Sequence, residues 1–378
     1  GSSRYRGRRR RAGGQRRILF ARRMSAAVMA TMASRSVRFR PSSSRTVRSH
    51  VKIPLADRSL LRLCLASLVA AMTPAVGHAG AGDVESGAIH SERLGRAIPY
   101  KAYVPGAARR SQREGGEAAR YPVRYLLHGH GDNEATWLGR GHVGATLDRL
   151  TASGDMPPTI VVMPGAGNSW YVDDARGADG GYGAVFSAMM GDFIAGIDRR
   201  LPTLACRGGR VIGGLSMGGY GAVLAGVTHP ERFRAVISLS GSLFAPERGE
   251  FDQRLGVYRR IFGGVFGEPP GYDRFREWNV FARLATVARE TRLPDFFLSV
   301  GDDDFRSILA GTVRFHMTLR ARDVASELRV IDAGHDWSNW RGEIARALAW
   351  LGPRLADGCG EQRDARGAEA GGCQAGAC

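Results

Sequence analysis

Ser216 is the residue whose neighbours most clearly indicate chemistry. It lies in Gly214-Leu-Ser-Met-Gly218, which fits the pattern Gly-x-Ser-x-Gly. In that pattern a sharp turn between a strand and a helix exposes a strained serine, and the glycines are needed because side chains would collide in the turn. Apolar residues before the turn predict the strand, and small residues after it predict a closely packed helix. We therefore expect a nucleophile here rather than an idle serine in a glycine-rich loop.

Two histidines near the end of the chain could supply the base that removes the serine's proton. His316 falls inside a predicted helix, where a surface or core role is the expectation. His335 lies in a loop just after a predicted strand, within Ala333-Gly-His-Asp-Trp337. A loop at the carboxyl end of the last strand can reach the serine, and the chain order serine, acid, histidine is then satisfied. We predict that His335 is the general base.

The acid that orients this histidine is expected in the turn after the preceding strand. Gly301 is followed there by three aspartates, Asp302, Asp303 and Asp304. One buried carboxylate is required to accept from the imidazole N–H, and spacing alone does not choose among the three. The triplet could instead bind a cation, but no matching cluster of ligands occurs elsewhere in the sequence. We therefore predict no metal site.

Two backbone N–H groups are expected to stabilise the oxyanion of a tetrahedral intermediate. One belongs to Met217, directly after the nucleophile, and the other to the loop after an early strand. That loop is His128-Gly-His-Gly131, in which we choose the N–H of His130. The two histidine rings are spaced i, i+2 in a glycine loop, which is poor evidence for a pair of metal ligands. The sequence thus predicts a site that uses no metal and no cofactor.

Short apolar segments alternate with helical ones throughout the part of the chain that holds these residues. This alternation predicts an α/β fold, with a mainly parallel central sheet covered by helices on both faces. The predicted strands are residues 121–127, 159–163, 209–215, 235–239, 295–300 and 327–331, and the predicted helices are residues 134–150, 186–201, 217–227, 308–322 and 338–351.

Residues 243–284 interrupt this alternation and are rich in Arg, Gly and Phe. We expect them to form a small insertion over the carboxyl edge of the sheet, where insertions tend to shape substrate pockets. Trp170 and Tyr171 are expected to bind the substrate in the same pocket.

The positive charge of the chain is concentrated before the predicted fold. The 378 residues carry a formal charge of +18. Residues 1–79 hold 17 Arg and one Lys against one Asp, so that +17 of this charge lies in residues 1–79. A surface that binds nucleic acid should instead be basic on the folded domain. We therefore exclude nucleic acid as the main partner.

Composition divides the chain into four segments. Residues 1–50 are rich in Arg, Ser, Ala and Gly without a sustained period, which predicts a disordered leader. Residues 51–79 have the order of a secretory signal, with basic residues, an uncharged run at 63–72 and small residues before Ala79. Residues 80–355 are the expected catalytic domain, and residues 356–378 the expected flexible tail.

The two amino-terminal segments together are too long for one signal, which usually has about 15–30 residues. We therefore expect translation to start near Val51, so that residues 1–50 are not translated. The apolar run is too short to span a bilayer as a helix, which needs about 20 residues. The expected product is secreted or periplasmic, without a stable membrane anchor.

Four cysteines lie outside the predicted signal, namely Cys206, Cys359, Cys373 and Cys378. In an oxidising compartment a bridge between Cys359 and Cys373 is one candidate, and unpaired thiols in the tail are an equal alternative. Connectivity cannot be read from the sequence, and no spacing here is that of a zinc site.

Several blocks of sequence, in the right order, resemble those of the esterase D family of α/β-hydrolases. This family includes S-formylglutathione hydrolases, feruloyl and acetylxylan esterases of carbohydrate esterase family 1, tributyrin-type esterases and mycolyltransferases. The blocks span about residues 98–351 and read Tyr125-Leu-Leu-His-Gly-His-Gly-Asp132, Asn168-Ser-Trp-Tyr171, Ile212-Gly-Gly-Leu-Ser-Met-Gly-Gly-Tyr-Gly221, Pro230-Glu-Arg-Phe233, Ser238-Leu-Ser-Gly241, Trp278-Asn279 and Gly334-His-Asp-Trp-Ser-Asn-Trp340.

The resemblance implies the α/β-hydrolase fold and narrows the site. The family's Gly-x-x-Asp-Phe pattern falls on residues 301–305, which implies Asp304 as the acid. The family's second oxyanion donor falls on His130. Cytosolic S-formylglutathione hydrolases have no export signal, which argues against that activity, and the mycolyltransferases have an aspartate where His128 stands.

The expected function is hydrolysis of a carboxylic ester through an acyl-enzyme on Ser216. The substrate would be a small-molecule or glycan ester, such as an acyl-sugar or feruloyl ester. Transfer of the acyl group to a sugar or alcohol by the same triad is an alternative, which product analysis with an added acceptor would separate. A catalytically inactive binding protein on the same fold is a second alternative, against which the intact triad argues.

Overall fold

A computed structural model of the protein describes residues 81–113, 119–355 and Cys359. The predicted leader (1–50), the predicted signal (51–79) and all of the predicted tail except Cys359 lie outside the described residues. Among the described helices, none combines the length and the apolar character that crossing a membrane would require.

One sheet of eight strands forms the centre of the described part of the chain. The strands are β1 (Asp83–Ser91), β2 (Arg96–Val104), β3 (Val123–Leu127), β4 (Ile160–Pro164), β5 (Arg210–Leu215), β6 (Ala235–Leu239), β7 (Asp295–Gly301) and β8 (Ser326–Ile331). Their spatial order is β1-β2-β4-β3-β5-β6-β7-β8. β2 is antiparallel to both β1 and β4, and the remaining neighbours are parallel. The predicted, mainly parallel α/β sheet is confirmed.

Helices follow most of the strands. They are α1 (Gly106–Arg113), α2 (Thr136–Gly139), α3 (Val143–Ala152), α4 (Gly177–Gly180), α5 (Val185–Ala188), α6 (Ile194–Arg200), α7 (Met217–Thr228), α8 (Arg248–Gln253), α9 (Leu255–Phe262), α10 (Tyr272–Glu277), α11 (Val280–Thr286), α12 (Arg306–Arg320) and α13 (Trp337–Leu351). A π-helical turn, Met189–Phe193, joins α5 to α6, and a 3-10 turn, Gly352–Leu355, follows α13.

Two apolar cores lie on opposite faces of the sheet. Successive side chains of a strand point to opposite faces, and in β3 Tyr125 belongs to one core whereas Leu126 belongs to the other. Helix α7 packs into the first core, and helices α3 and α13 pack into the second. The central strands are therefore buried on both faces, which explains why the sequence shows them as short continuous apolar runs.

The register of the parallel strands brings their carboxyl ends to one edge of the sheet. Leu127 at the end of β3 pairs with Gly214 of β5, and Leu215 pairs with Leu239 at the end of β6. Gly301 at the end of β7 pairs with Ile331 of β8. The loops after β3, β5, β7 and β8 thus leave the sheet side by side, although they are far apart in sequence.

Two of the differences from the sequence prediction have a clear physical cause. The hairpin of β1 and β2 was not predicted, because β1 alternates polar and small residues that are mostly exposed at the sheet edge. The single helix predicted over residues 134–150 is divided into α2 and α3, since His142 between them has a left-handed backbone (φ 51°) that no α-helix continues.

The predicted insertion is present as a helical segment that holds α8, α9, α10 and the start of α11. Its centre is a cluster of aromatic rings in which Tyr258 stacks on Phe251 and Phe262, with ring centroids 4.8 and 5.5 Å apart. Phe262 also packs edge-on against Trp170, at 4.9 Å between centroids. These contacts attach the insertion to the loop that follows β4.

A disulfide joins Cys206 to Cys359. The candidate bridge between Cys359 and Cys373 is therefore wrong, because the partner of Cys359 lies 153 residues away in the loop before β5. Such a long separation leaves no sequence signal, since the contact exists only after the chain has folded.

Candidate active site

Ser216 occupies the turn between β5 and α7 in a conformation that few residues adopt. Its backbone angles are φ 53° and ψ −116°, outside the regions allowed to most side chains. The turn is held by hydrogen bonds on both sides: the Ser216 N–H donates to the carbonyl of Leu239 (2.9 Å), and the Ser216 carbonyl accepts from the N–H of Ser242 (3.1 Å). Backbone strain of this kind persists where the surrounding structure enforces it.

The glycines around Ser216 are required by close approach of the backbone. A Cβ atom on Gly218 would lie 2.3 Å from the carbonyl oxygen of Leu127, and one on Gly214 would lie 2.5 Å from backbone atoms of Gly218. Real Cβ atoms do not come this close to backbone atoms. A side chain at either position would therefore collide with the backbone, as predicted. Because glycine has no side chain, α7 can begin directly behind β3.

Three side chains from three different loops meet at this turn. The His335 Nε2 atom lies 3.0 Å from the Ser216 Oγ atom, within hydrogen-bond distance. The Nδ1 atom of the same ring lies 2.8 Å from Oδ1 of Asp304. The Asp304 side chain is fully buried, and the His335 side chain is 20% exposed. A hydroxyl, an imidazole and a buried carboxylate thus form one continuous chain of hydrogen bonds.

The geometry distinguishes Asp304 from its two neighbours, which spacing could not do. Asp304 accepts from the His335 ring and from the N–H of Phe305 (2.6 Å) through the same oxygen, Oδ1. Asp302 and Asp303 are both exposed, and Asp302 accepts from the N–H of Ala333 instead. Asp304, the carboxylate that faces His335, is also the one that the family resemblance implies as the acid.

Glycine and a helix cap bring His335 to this position. A Cβ atom on Gly301 would lie 1.9 Å from the carbonyl oxygen of Ala333, so glycine at the end of β7 lets the histidine loop approach. Directly after His335, the Asp336 side chain accepts from the N–H of Ser338 (2.7 Å) and caps helix α13. The loop is therefore fixed on both sides of the histidine.

The loop that follows β3 lies against Ser216. A Cβ atom built on Gly129 would be 3.7 Å from Cβ of Ser216. Within residues 81–113 and 119–355, no backbone carbonyl accepts from the N–H of His130 or of Met217. This is what the prediction that both N–H groups act as oxyanion donors requires.

His128 holds this loop and has no free nitrogen for a metal. Its Nε2 accepts from the N–H of Ala166 (3.1 Å), and its Nδ1 lies 2.8 Å from the carbonyl of Gly129, which fixes the proton on Nδ1. Burial lowers the pKa of the His128 ring below its ordinary value, so the ring is neutral at pH 7.

Tyr171 supports the same loop and does not line the cavity beside Ser216. Its side chain is buried, burial raises the pKa of its hydroxyl well above the ordinary value, and the hydroxyl donates to the carbonyl of His128 (3.1 Å). The Tyr171 side chain therefore packs behind the loop 128–131 and is not among the residues that line the cavity, so its contact with substrate stays a prediction. Trp170, predicted together with it, does line the cavity.

A cavity of about 500 Å³ opens at Ser216 and His335. Its walls are mostly apolar and aromatic, and about half of its lining comes from the insertion and the segment leading into it, as predicted. The lining residues are His130, Trp170, Ser216, Ser242, Phe244, Arg254, Val257, Tyr258, Arg260, Ile261, Phe305, Ser307, Ile308 and His335. This size is within the usual range for a small-molecule site.

Sequence reasoning did not assign roles to three residues that position the site. The Asn168 side chain accepts from the N–H of Gly131 (2.7 Å), and the Trp137 indole donates to the carbonyl of Leu127 (3.1 Å). The Trp340 ring packs edge-on against His335 with centroids 5.0 Å apart. Asn168 and Trp340 lie in blocks that resemble the esterase D family, so the signal was present without a role attached to it.

The fold and this arrangement define a serine hydrolase of the α/β-hydrolase class. Residues 91–351 match the sequence model of the Esterase family, which is more than half of the chain. The protein belongs to this family and is a carboxylic ester hydrolase. The resemblance inferred from the sequence blocks is thereby confirmed.

Two curated relatives are similar to this chain. An acetyl esterase from Caldicellulosiruptor saccharolyticus is 28% identical over 236 residues, which is 60% of this chain and 82% of that protein. An endo-1,4-beta-xylanase/feruloyl esterase from Xylanibacter ruminicola is 34% identical over 196 residues, which is 51% of this chain but 26% of that longer protein.

Solved structures share the fold. A ferulic acid esterase is 27% identical, with a TM-score of 0.57, and the match covers 73% of this chain and 99% of the esterase. A fluorophosphonate-binding serine hydrolase from Staphylococcus aureus is 21% identical, with a TM-score of 0.58, and the match covers 74% of this chain and all of that one. At that identity the second structure supports the fold alone.

Proposed function

We propose that Ser216 is the nucleophile, His335 the general base and Asp304 the orienting acid of the ester hydrolysis. The hydroxyl of Ser216 donates to Nε2 of His335, which can take the proton as the oxygen attacks the ester carbonyl. The carboxylate of Asp304 accepts from Nδ1–H, which holds the ring in the required tautomer and stabilises the imidazolium that forms.

The remaining steps follow from the same contacts. The carbonyl oxygen of the ester becomes negatively charged in the tetrahedral intermediate, and the N–H groups of His130 and Met217 stabilise this charge. His335 then gives its proton to the leaving alcohol, and the acyl group stays on Ser216. Water deprotonated by His335 attacks the acyl-enzyme and releases the acid, which restores the serine.

The observation that carries this proposal is the pair of contacts made by one imidazole, 3.0 Å to the hydroxyl and 2.8 Å to the buried carboxylate. Turnover of p-nitrophenyl acetate tests it. Ser216→Ala should abolish turnover while the thermal melt stays nearly unchanged, because the removed hydroxyl makes no contact that the fold needs. Ser242→Ala, which removes a neighbouring hydroxyl from the same cavity, is the matched control and should retain most activity. Activity that survives in Ser216→Ala would refute the assignment.

We infer that the substrate is a small-molecule or glycan ester. Its relatives include an acetyl esterase and a feruloyl esterase by name. The cavity is wide enough for an aryl group, and the rings of Trp170, Phe244 and Tyr258 offer stacking surfaces. A comparison of acyl chain lengths with feruloyl esters and acetylated sugars tests this inference. Failure to hydrolyse any of these esters would contradict it, and turnover restricted to esters without a ring or sugar would narrow the substrate to small aliphatic esters.

We also propose that the protein is exported and that residues 80–355 form the catalytic domain. The disulfide between Cys206 and Cys359 supports an oxidising compartment, because such bonds are rare where thiols are kept reduced. The order of basic, apolar and small residues in 51–79 supports a cleaved signal. Amino-terminal sequencing of the exported protein should place the mature end close to Ala79, and a mature end before residue 51 would refute the signal.

A further inference from the structure

We propose that the substrate of this esterase carries an anionic group, which Arg254 and Arg260 bind at the wall of the catalytic cavity. The inference rests on the proposed function, because it concerns the substrate of the same site. It starts from the charge of the cavity: two arginines line it, and its lining contains no aspartate or glutamate in the part of the chain that the structure describes.

Helix α9 and its N-cap residue, Arg254, present these arginines to the cavity. Val257, Tyr258 and Ile261 lie on one face of the helix, Arg254 precedes this face at its amino-terminal end, and all four line the cavity. Arg260 lies at the flank of this face, four residues before the left-handed Gly264 that follows the helix. The apolar members of the face can hold the organic part of an ester while the guanidinium groups contact a charged part.

The two guanidinium groups are available to a ligand. Arg260 is exposed, and among the described residues no carboxylate lies within ion-pair distance of it. Arg254 has Glu250 at 3.3 Å, but both side chains are about half exposed, and a pair of this kind contributes little. A carboxylate or phosphate on the substrate can therefore bind without first breaking a strong ion pair.

A second cavity extends the same positive wall. It has about 160 Å³ and shares Phe244, Arg254, Tyr258 and Ser307 with the catalytic cavity, so that Arg254 lies between the two. Its far side is lined by Arg314, whose guanidinium donates to the carbonyl of Ala245. The path away from Ser216 thus passes cationic groups, and Glu250 is the acidic residue that lines it.

The planar guanidinium group suits such a ligand. It presents paired N–H donors that match the oxygens of carboxylate or phosphate. A neutral group can accept a hydrogen bond from an arginine but forms no ion pair with it, so it gains less than an anion. The geometry therefore favours an ester with an apolar or aryl part next to the scissile bond and an anionic group beyond it.

Matched pairs of esters test this proposal and also locate the anion. For the alcohol side, 4-acetoxybenzoate is compared with its neutral methyl ester. For the acyl side, the mono-4-nitrophenyl ester of glutaric acid is compared with its neutral methyl ester. In at least one pair, kcat/KM of the wild-type enzyme should be about tenfold higher for the anion, which is the gain expected from one charge-assisted hydrogen bond.

Substitutions on one helix provide the control. In the double variant Arg254→Gln/Arg260→Gln, the ratio of kcat/KM for the anionic ester to kcat/KM for the neutral ester should fall to about one. The cause should be a higher KM for the anionic ester. Arg259→Gln removes the same charge from the same helix, but Arg259 does not line the cavity and pairs with Glu268. This variant should keep both the preference and the activity. If the double variant does not fold, the single Arg260→Gln variant and a salt titration of the wild type decide, because salt should weaken the preference.

The outcomes separate this inference from the proposed function. Equal kcat/KM for both members of both pairs, or a preference that persists in Arg254→Gln/Arg260→Gln, would overturn the anion site. Hydrolysis of the neutral esters that depends on Ser216 would leave the proposed function intact in that case. Hydrolysis that survives Ser216→Ala would count against the proposed function instead.

Discussion

Replacement of Asp304 by asparagine isolates the charge that the proposed mechanism requires. The substitution keeps the size of the side chain but removes the negative charge next to His335. In the acylation step the imidazole becomes positive, and the carboxylate stabilises this ion through the contact of 2.8 Å to Nδ1. In the variant the amide can also turn its NH₂ group towards the ring and favour the wrong tautomer, with the proton away from Nδ1.

The magnitude follows from the separation of the charges. At 2.8 Å and an effective dielectric constant of about 20, two unit charges attract by about 6 kcal/mol. Both charges are spread over several atoms, and at an effective separation of about 4 Å the attraction is about 4 kcal/mol. Since about 1.4 kcal/mol corresponds to tenfold, kcat should fall by about 10³ to 10⁴. KM should change little, because the charge pair forms on the way to the transition state.

The assay is steady-state hydrolysis of p-nitrophenyl acetate, with a thermal melt to show that Asp304→Asn folds. Asp303→Asn is the matched control, because Asp303 is the adjacent aspartate and is exposed. It should stay within about threefold of the wild type, as is usual for an exposed surface group. A loss of less than tenfold in folded Asp304→Asn, or an equal loss in Asp303→Asn, would refute the reasoning.

Three further predictions concern the elements around the site. Tyr171→Phe should lower the free energy of unfolding by about 1–3 kcal/mol and reduce kcat, because the carbonyl of His128 loses its buried donor and the oxyanion loop loosens. Arg124→Met should raise that free energy by about 1–4 kcal/mol, as measured by denaturant unfolding. Arg124 is fully buried, burial lowers its pKa to about 9, and two of its nitrogens have no hydrogen-bond partner among the described residues. NMR titration of the His128 ring should give a midpoint below about 6.5, and stability should fall as the pH drops below that value.

Each of these has a result that would contradict it. For Tyr171→Phe the control is Tyr103→Phe, which removes another hydroxyl, bonded to Asp148 at 2.7 Å. An equal effect on kcat in both would show that the loop is not involved. A less stable Arg124→Met would mean that the single contact with Thr159 outweighs the cost of burying the charge.

The pH prediction has a definite sign. The folded pKa of His128 lies below the unfolded one, so the unfolded chain binds the proton first as the pH falls. The contribution of neutral His128 is therefore complete above about pH 6.5 and is lost on acidification. A His128 midpoint at or above 6.5 would contradict the burial that lowers this pKa and the hydrogen bond that Nε2 accepts from Ala166.

The sequence predicted the parts of the site that depend on local pattern. The turn at Ser216 could be predicted because close backbone contacts, which any such turn makes, require glycine at positions 214 and 218. The loop position of His335 follows from the strand before it and the helix after it. These features need few residues, all close together in the chain, and their types are restricted by sterics.

Other parts depend on contacts that no local pattern encodes. Tyr171 donates a hydrogen bond to the carbonyl of His128, 43 residues away, and no local pattern indicated this contact. The partner of Cys359 is Cys206, which the folding of the whole domain brings close. The choice among the three aspartates required either a family pattern or the observed contact with His335.

The most direct measurement is to trap the acyl-enzyme and identify the modified residue. An ester with a slowly released acyl group, p-nitrophenyl trimethylacetate, is mixed with the enzyme, quenched in acid and analysed by peptide mass spectrometry. The mechanism predicts one acyl group per active chain, on Ser216, formed slowly in His335→Ala and absent in Ser216→Ala. Acylation of another residue at the rate of turnover, or turnover without any acylated Ser216, would contradict it.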